Sequence, residues 1–246
     1  QRRGWAFWRE IGLVTWAVAA TVAVIVLAVF YQYGKTGNHD GSKPCAPGGK
    51  PTGKRNLIFM VSDGMGPASL GLTRSYKQLT EGLPADEILV LDGHLIGTSR
   101  TRSTNSLVTD SAAGATAFSC GLKSYNGAIS VLPDHSPCGT VLEAAALAGY
   151  KTGLVVTTRI TDATPACFAS HANRRQYEDR IAEQEIGEYP LGRVVDLIFG
   201  GGRCHFLPNS TKGSCRGDDR DLVALAREKG FNYMEDRKGF DALNGG

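Results

Sequence analysis

The longest apolar segment of the chain is residues 11–30, IGLVTWAVAATVAVIVLAVF, and it contains no charged residue. At about 1.5 Å of helical rise per residue, such a segment spans about 30 Å, the thickness of the hydrocarbon core of a bilayer. Aromatic residues flank it, as at a membrane interface: Trp5, Trp8, Tyr31 and Tyr33. The pattern therefore predicts a transmembrane helix over residues 11–33. Its aromatic end is a poor signal-peptide cleavage site, so we expect it to be retained as an anchor.

The flanks of this segment predict its orientation and the start of a domain. Arg2, Arg3 and Arg9 precede it, and the positive-inside rule then favours a cytosolic tail at residues 1–10, although lysines also follow it. Residues 34–54 are rich in Gly, Pro, Lys and Ser, which predicts a flexible linker. We therefore expect a type II signal anchor, a linker and a lumenal domain at residues 55–246. Because the chain begins with Gln1 rather than Met and ends in two glycines, we expect a fragment.

Beyond residue 55, short apolar runs alternate with segments of helical pattern. Strands are predicted at residues 56–62, 153–157, 194–199 and 231–234. Helices are predicted at residues 67–79, 140–148 and 219–229, with one starting near Ser111 and a short one carrying His171 and Arg175. This alternation is typical of an α/β fold with a mostly parallel central sheet flanked by helices. We expect the sheet to be incomplete in this chain.

Composition narrows the class of protein. With 42% hydrophobic and 21% charged residues, the chain has the composition of a folded protein. The net charge is only +3, and the basic residues form no stripe interleaved with aromatic residues. We therefore expect no nucleic-acid partner.

The six cysteines include no C-x-x-C pair, which argues against a zinc knuckle or a thioredoxin-like site. Cys204 and Cys215 bracket a short polar loop and could close it as a disulfide in an oxidising compartment. The same loop contains the sequon Asn209-Ser-Thr, which predicts glycosylation at Asn209. Cys120 and Cys167 are expected to stay small buried thiols, whereas Cys138 could bond with a partner.

The pair Asp110-Ser111 stands before a run of small residues, AAGATA. A helix that starts near Ser111 would place the hydroxyl at the positive end of the helix dipole, among unpaired backbone N–H groups. That environment favours phosphate and a phosphorylated serine. The alternative is an ordinary Asp or Ser N-cap before a buried, alanine-rich helix. The serine could also do both.

Oxygen-bearing side chains follow three predicted segments: Asp63, then Asp110 with Ser111, then Asp162 with Thr164. Ligands of α/β folds bind at the carboxyl ends of the strands. Carboxylates and hydroxyls suit Mg²⁺, and carboxylates suit Zn²⁺ when histidines join them. The G-x-S-x-G elbow of serine hydrolases is absent. A distant Ser-His-Asp triad, using His94, His135 or His171, and activation of the serine by metal are both open.

These residues resemble the motifs of alkaline phosphatases. The resemblance rests on NLIFMVSDGMG at residues 56–66, VTDSAAGATA at 108–117, and DATPA at 162–166 with His171, in the order and spacing of the family. The anchor and the sequon further resemble the fungal vacuolar members. The resemblance extends from residue 55 to the end, about the first half of the family's catalytic domain. It implies an α/β fold, a homodimer, small phosphomonoester substrates and a vacuolar membrane location.

The resemblance also implies two Zn²⁺ ions, one Mg²⁺ ion and a role for each residue. Ser111 would be the nucleophile that becomes phosphoserine and would contact zinc. Asp63 would bridge the second Zn²⁺ and the Mg²⁺, while Asp162 and Thr164 would serve the Mg²⁺ site; animal relatives carry His where this chain has Asp162, so that site resembles the bacterial type.

Two further roles concern phosphate binding. Arg175 would clamp two phosphate oxygens with its planar fork, with Arg174 as the competing choice. Asp110 would steady the arginine or the backbone without binding metal. The implied reaction is two in-line displacements through phosphoserine.

One departure from the family affects function. The remaining zinc ligands of the family lie in its second half, and the only later histidine here, His205, matches no ligand motif and is read as a loop residue. We therefore expect polypeptide 1–246 alone to lack measurable phosphatase activity and to aggregate. Alternatives are a phosphodiesterase or sulfatase of the same superfamily, or a non-catalytic, truncated lumenal membrane protein.

Overall fold

The computed structural model describes residues 55–243, together with Trp16, Thr21 and Val22. The chain divides into two compact units, residues 1–59 and residues 60–246. Among the described residues, no helix combines the length and the apolar character needed to cross a membrane. Most of the predicted anchor, the cytosolic tail and the linker lie outside the described residues, so all three stay predictions.

Side chains that accept backbone N–H bonds start most helices of the second unit. The helices are α1 (Pro67–Glu81), α2 (Ser111–Cys120), α3 (Val141–Leu147), α4 (Ala163–Ala169), α5 (Glu178–Glu185), α6 (Leu222–Glu228) and α7 (Arg237–Asp241). The accepting residues are Asp110, Thr140, Asp162, Asp221 and Asp236. Helix α1 instead begins with a proline and ends at Gly82, which is left-handed with φ 61°.

Two strands form the sheet of the described chain, β1 (Gly153–Arg159) and β2 (Leu197–Gly201). They pair in parallel, with Gly153 opposite Leu197. The connection between them contains α4 and α5, as parallel pairing requires a long crossover. The parallel α/β architecture is confirmed. The second strand starts three positions later than predicted, since Val194 and Val195 are buried in the core before the ladder begins.

Two other predicted strands are wrong. Residues 56–62 and 231–234 carry no regular secondary structure. Leu57 is 83% exposed and Met60 86% exposed, so the run is not buried in the described structure. A strand needs a neighbour for its backbone N–H and C=O groups, and within the described residues β1 and β2 pair only with each other. The apolar pattern indicates that a segment tends to be buried. It does not show that a neighbouring strand is available to pair with it.

Helices α2 and α4 pack closely because small residues line their contact. Ala112 and Ala115 of α2 lie in one buried cluster with Ala163 and Ala166 of α4. The Cys167 thiol of α4 lies 3.4 Å from the carbonyl oxygen of Ala112. This packing sets the first turns of the two helices beside one another.

Helix α4 ends earlier than predicted. It stops at Ala169, so His171 and Arg175 lie in the irregular segment that follows rather than on the helix. An isolated antiparallel bridge between Ala172 and Ile129 holds this segment instead. The prediction of a helix carrying both residues is therefore wrong, because a backbone pairing to a distant loop replaces the next helical turn.

Four of the cysteines that the structure describes form disulfides. Cys204 pairs with Cys215 across the polar loop. Cys120 also pairs with Cys138, contrary to the expectation of a buried thiol and a partner-facing cysteine, because the loop after α2 folds back to bring their Cα atoms within 5.9 Å. Cys167 is a free, buried thiol, as predicted, and burial raises its pKa to about 11.

Candidate active site

The carboxylate of Asp63 joins three segments that are far apart in the sequence. Its Oδ1 accepts a hydrogen bond from the Ser111 hydroxyl at 3.0 Å, and its Oδ2 accepts one from the Thr164 hydroxyl at 2.8 Å. Ser111 is the first residue of α2, and Thr164 lies in the first turn of α4. The close packing of the two helices therefore delivers both hydroxyls to one carboxylate.

The cap of α2 is Asp110 and not Ser111. Oδ1 of Asp110 accepts the N–H of Ala113 at 2.9 Å, and its Oδ2 accepts the N–H of Gly127 at 2.9 Å. Gly127 has φ 92°, a conformation that favours glycine. The idea that Ser111 also caps its helix is thus wrong. Its hydroxyl is left to face Asp63 at the positive end of the helix.

Arg175 lies between the two capping acids. Its Nη1 is 3.4 Å from Oδ2 of Asp110, and its Nη2 is 2.8 Å from Oδ1 of Asp162. Its backbone N–H donates to the Gly127 carbonyl at 2.8 Å, which fixes where the side chain starts. Arg174 makes neither ion pair. Of the two candidate arginines, Arg175 is therefore the one held beside the Ser111 helix.

The ion pair keeps both partners charged. Burial opposes the charge on Asp162, but the Ala163 N–H and the Arg175 guanidinium outweigh it and lower the pKa of Asp162. Burial likewise opposes the charge on Arg175, yet the hydrogen bond to Asp162 raises the pKa of Arg175. Arg159 adds a longer contact to Asp162, at 3.6 Å. The site therefore carries fixed charges at neutral pH.

The donor atoms of this site are all oxygens. Asp63, Asp162 and Thr164 match the hard ligands that Mg²⁺ prefers. Asp63 and Ser111 could contribute oxygens to zinc, but a zinc pair also needs histidine nitrogens. Within the described residues, the Ser111 hydroxyl bonds to Asp63 and to no histidine. The chemistry of these donors therefore suits magnesium and only part of a zinc site; the structure joins Asp63 to Ser111 and Thr164, and it joins Asp162 to Arg175.

Two further histidines of the described chain, His135 and His205, have partners other than Ser111. His205 contacts Asp179 at 2.8 Å and Glu178 at 3.2 Å, and its neighbours Cys204 and Cys215 are joined in a disulfide, so this cluster offers no thiolate pair. His135 lies 3.0 Å from the Tyr125 hydroxyl. The geometry gives no support to a Ser-His-Asp triad at Ser111.

His171 belongs to a buried cluster that the sequence did not reveal. Its Nδ1 is 2.7 Å from the Ser130 carbonyl, and its Nε2 is 2.8 Å from Oε1 of Glu143. The Tyr189 hydroxyl donates to the same Glu143 oxygen at 3.1 Å, and its ring stacks on the imidazole. Burial opposes the charge of the ring, but these two acceptors outweigh it and raise the pKa of His171, which favours the doubly protonated form. This cluster holds the start of the segment that carries Arg175.

Asn126 was also missed by sequence reasoning. Its side-chain amide donates to the Val108 carbonyl at 2.9 Å, and its Oδ1 accepts the Asp110 N–H at 3.2 Å. These two hydrogen bonds fix the backbone of residues 108–110, which leads into Ser111. No local pattern marks it, because it lies in a turn-rich segment whose contacts are all long-range.

Comparison with known proteins assigns the family of this chain. The alkaline phosphatase family model matches residues 54–245. The chain belongs to the alkaline phosphatase family. It is 64% identical to the repressible alkaline phosphatase of Saccharomyces cerevisiae over 77% of this chain and 35% of that protein. It is 50% identical to an alkaline phosphatase of Schizosaccharomyces pombe over 99% of this chain and 43% of that protein.

A solved structure agrees in fold. A variant of the alkaline phosphatase from the Antarctic bacterium TAB5, with Mg bound in its M3 site, matches with 34% identity and a TM-score of 0.54. The match covers 73% of this chain and 48% of that one. The chain thus spans less than half the length of each of these three relatives. The family is metal-dependent, consistent with the oxygen donors described above.

Proposed function

We propose that the protein containing this chain is a metal-dependent phosphomonoester hydrolase that acts through a phosphoserine at Ser111. The observation that supports this most directly is the Asp63 carboxylate bonded to both the Ser111 and the Thr164 hydroxyls, 3.0 Å and 2.8 Å away. A serine that only capped its helix would not need a hydrogen bond to an acid such as Asp63, and the cap of α2 is Asp110. The serine is therefore available for chemistry.

In the proposed reaction, the Ser111 oxygen attacks the phosphorus of a phosphomonoester. The proton of the Ser111 hydroxyl, which is donated to Asp63 in this structure, leaves with the alcohol product. The guanidinium of Arg175 holds two phosphate oxygens with the N–H donors that it does not use on Asp110 and Asp162. Water then hydrolyses the phosphoserine, releasing phosphate and restoring the serine.

Asp63, Asp162 and Thr164 would hold Mg²⁺, and Asp63 and Ser111 would offer oxygens to two Zn²⁺ ions. When bound, these ions supply positive charge that stabilises a serine alkoxide and the charge on the phosphoryl group. The first turn of α2 contributes in the same direction, since its dipole favours negative charge beside Ser111. Asp110 and Asp162 hold Arg175 in place throughout.

The test is to trap the intermediate. The protein containing this chain would be incubated with radiolabelled phosphate, quenched in acid and digested, and the labelled peptide should contain Ser111. Ser111→Ala should abolish both the label and turnover of para-nitrophenyl phosphate, by at least about a thousandfold. Ser69→Ala is the matched control, because Ser69 is an exposed serine in the first turn of α1.

Retained activity in Ser111→Ala, or label at another residue, would contradict the proposal. Absence of turnover in the unmodified protein supplied with Zn²⁺ and Mg²⁺ would favour the non-catalytic alternative.

We further propose a single-pass type II anchor, a domain facing the vacuolar lumen, and a homodimer. The apolar segment 11–30, the disulfides and the sequon support the anchor and the lumenal placement, whereas the homodimer rests on the family resemblance alone. Asn209 is exposed in the disulfide-closed loop, as a glycosylation acceptor must be. A mobility shift on endoglycosidase treatment that is lost in Asn209→Gln would support this placement, and no shift in the unmodified protein would argue against it.

A further inference from the structure

A cavity of about 620 Å³ opens beside the phosphate-clamping arginine. Asp110 and Arg175 form one part of its lining, and Arg174 and Tyr177 form another. Cavities of this size bind small organic ligands. A phosphate group held by Arg175 would have this cavity next to it.

The charges that line the cavity are unbalanced. Among the described residues that line it, Asp110 is the only acidic one, and both its carboxylate oxygens already accept protein N–H groups. The charge of Arg175 is matched by Asp110 and Asp162. Arg174 is exposed, and in the part of the chain that the structure describes it has no carboxylate partner within ion-pair distance. The cavity therefore presents one uncompensated guanidinium.

The wall that carries this guanidinium is held in place by backbone contacts. The Tyr177 N–H donates to the Arg174 carbonyl at 3.1 Å, and the Arg175 N–H donates to the Gly127 carbonyl at 2.8 Å. The Tyr125 hydroxyl donates to the Asn173 carbonyl at 2.9 Å. The two arginines are thus presented from a fixed turn, which reduces the cost of ordering them on binding.

We propose that this cavity receives the alcohol part of the substrate and that Arg174 binds a second anionic group on it. The substrate class is then phosphomonoesters that carry a carboxylate or a further phosphate away from the scissile one. This inference rests on the proposed function, because it assumes that Arg175 binds the scissile phosphate. Arg174 acts as a specificity residue and takes no part in the bond cleavage.

The experiment compares two substrates that differ in one group. Phosphogluconate and sorbitol phosphate carry the phosphate on the same carbon chain, which ends in a carboxylate in the first and a hydroxymethyl group in the second. In the protein containing this chain, Arg174→Gln should lower kcat/KM for phosphogluconate about tenfold, mainly through KM, as expected for one lost charge-assisted hydrogen bond. Turnover of sorbitol phosphate and of para-nitrophenyl phosphate should change less than about twofold.

Arg180→Gln is the matched control, since Arg180 is an exposed arginine of α5 that does not line this cavity. It should leave all three substrates unchanged. Equal losses on all substrates in Arg174→Gln, no loss on phosphogluconate, or an equal loss in Arg180→Gln would overturn the inference while the proposed function stands. No turnover of any substrate by the unmodified protein would overturn both.

Discussion

The two acids that flank Arg175 each do two jobs. Asp110 and Asp162 each accept a backbone N–H at the start of a helix, and each also contacts the guanidinium. The second contact is what a plain capping residue lacks. For a single residue, a position at a helix start therefore says little about function. The contact that Asp110 and Asp162 each make with Arg175 is more informative.

Glu185 is a residue whose burial should be visible in solution. Both its carboxylate oxygens are buried without a hydrogen-bond partner among the described residues. Burial raises the pKa of this carboxyl well above 4.5, and the charge of Glu178 raises it further. A carboxyl whose pKa rises on folding does not reduce the free energy of unfolding below its unfolded-state pKa. As pH rises from that pKa toward the folded-state pKa, the free energy of unfolding falls.

In the unmodified protein, Glu185 should lower the free energy of unfolding by about 1.4 kcal/mol for each pH unit above its unfolded-state pKa. We predict that Glu185→Gln abolishes this decline. The thermal midpoint of the protein containing this chain, measured from acidic to neutral pH, should decline less steeply in the variant. Glu228→Gln, at an exposed glutamate of α6, is the control and should follow the unmodified profile. Identical profiles for the Glu185 variant and the unmodified protein would rule the effect out.

At the scale of elements, buried contacts tie together segments that no local pattern links. Helices α2 and α4 meet through small residues such as Ala112 and Ala166, which sets Ser111 and Thr164 on one carboxylate. The segment after α4 is held by His171, whose imidazole lies against Glu143 of α3. The position of Arg175 thus depends on three helices.

The His171–Glu143 pair makes a pH-dependent contribution. Burial opposes both charges, but their hydrogen bond outweighs it, raising the pKa of His171 above 6.5 and lowering that of Glu143 below 4.5. The histidine contribution is complete below pH 6.5 and is lost as pH rises through the raised value. The glutamate contribution is complete above pH 4.5 and is lost as pH falls through the lowered value. The pair is therefore most stabilising between these limits.

We predict that His171→Leu costs about 3–5 kcal/mol, because it leaves the buried charge of Glu143 without its positive partner. In the protein containing this chain, the free energy of unfolding should fall and KM should rise, since Arg175 is less well placed. Adding Glu143→Leu should recover part of the loss, and His94→Leu, at an exposed histidine, should have little effect. A double variant as unstable as the sum of the single variants would contradict the pairing.

For the whole molecule, large apolar surfaces stay exposed. Leu57 and Ile58 are more than four-fifths exposed, at 83% and 84%, and Val155 on β1 is 69% exposed. Apolar surface of this kind drives association in water. The described site also lacks histidine ligands for zinc.

We accordingly predict that the polypeptide 1–246 by itself hydrolyses no para-nitrophenyl phosphate, even with Zn²⁺ and Mg²⁺ present, and self-associates. Enzyme assay and sedimentation of the purified polypeptide, solubilised in detergent, would test both statements. Measurable turnover would disprove the first. A monomer with a cooperative unfolding transition would disprove the second.

Some of this protein could be predicted from local sequence because local physics sets it. Pro67 and Gly82 limit α1, Thr140 and Glu143 form a capping box for α3, and the DSAAGATA block identifies the family motif. Proline, glycine and capping side chains act within one turn of backbone, so their effect can be read without the rest of the chain.

Only the tertiary structure decided the remainder, since it depends on contacts between residues far apart in sequence. The apolar run at 56–61 looks like a buried strand, yet it has no ladder partner in the described chain. The Cys120–Cys138 disulfide and the Glu143–His171 pair follow from how loops fold back on helices. Sequence alone thus predicted the candidate residues Asp63, Ser111, Asp162, Thr164 and Arg175, whose roles stay predictions. The packing of α2 against α4 decided that the hydroxyls of Ser111 and Thr164 both face Asp63.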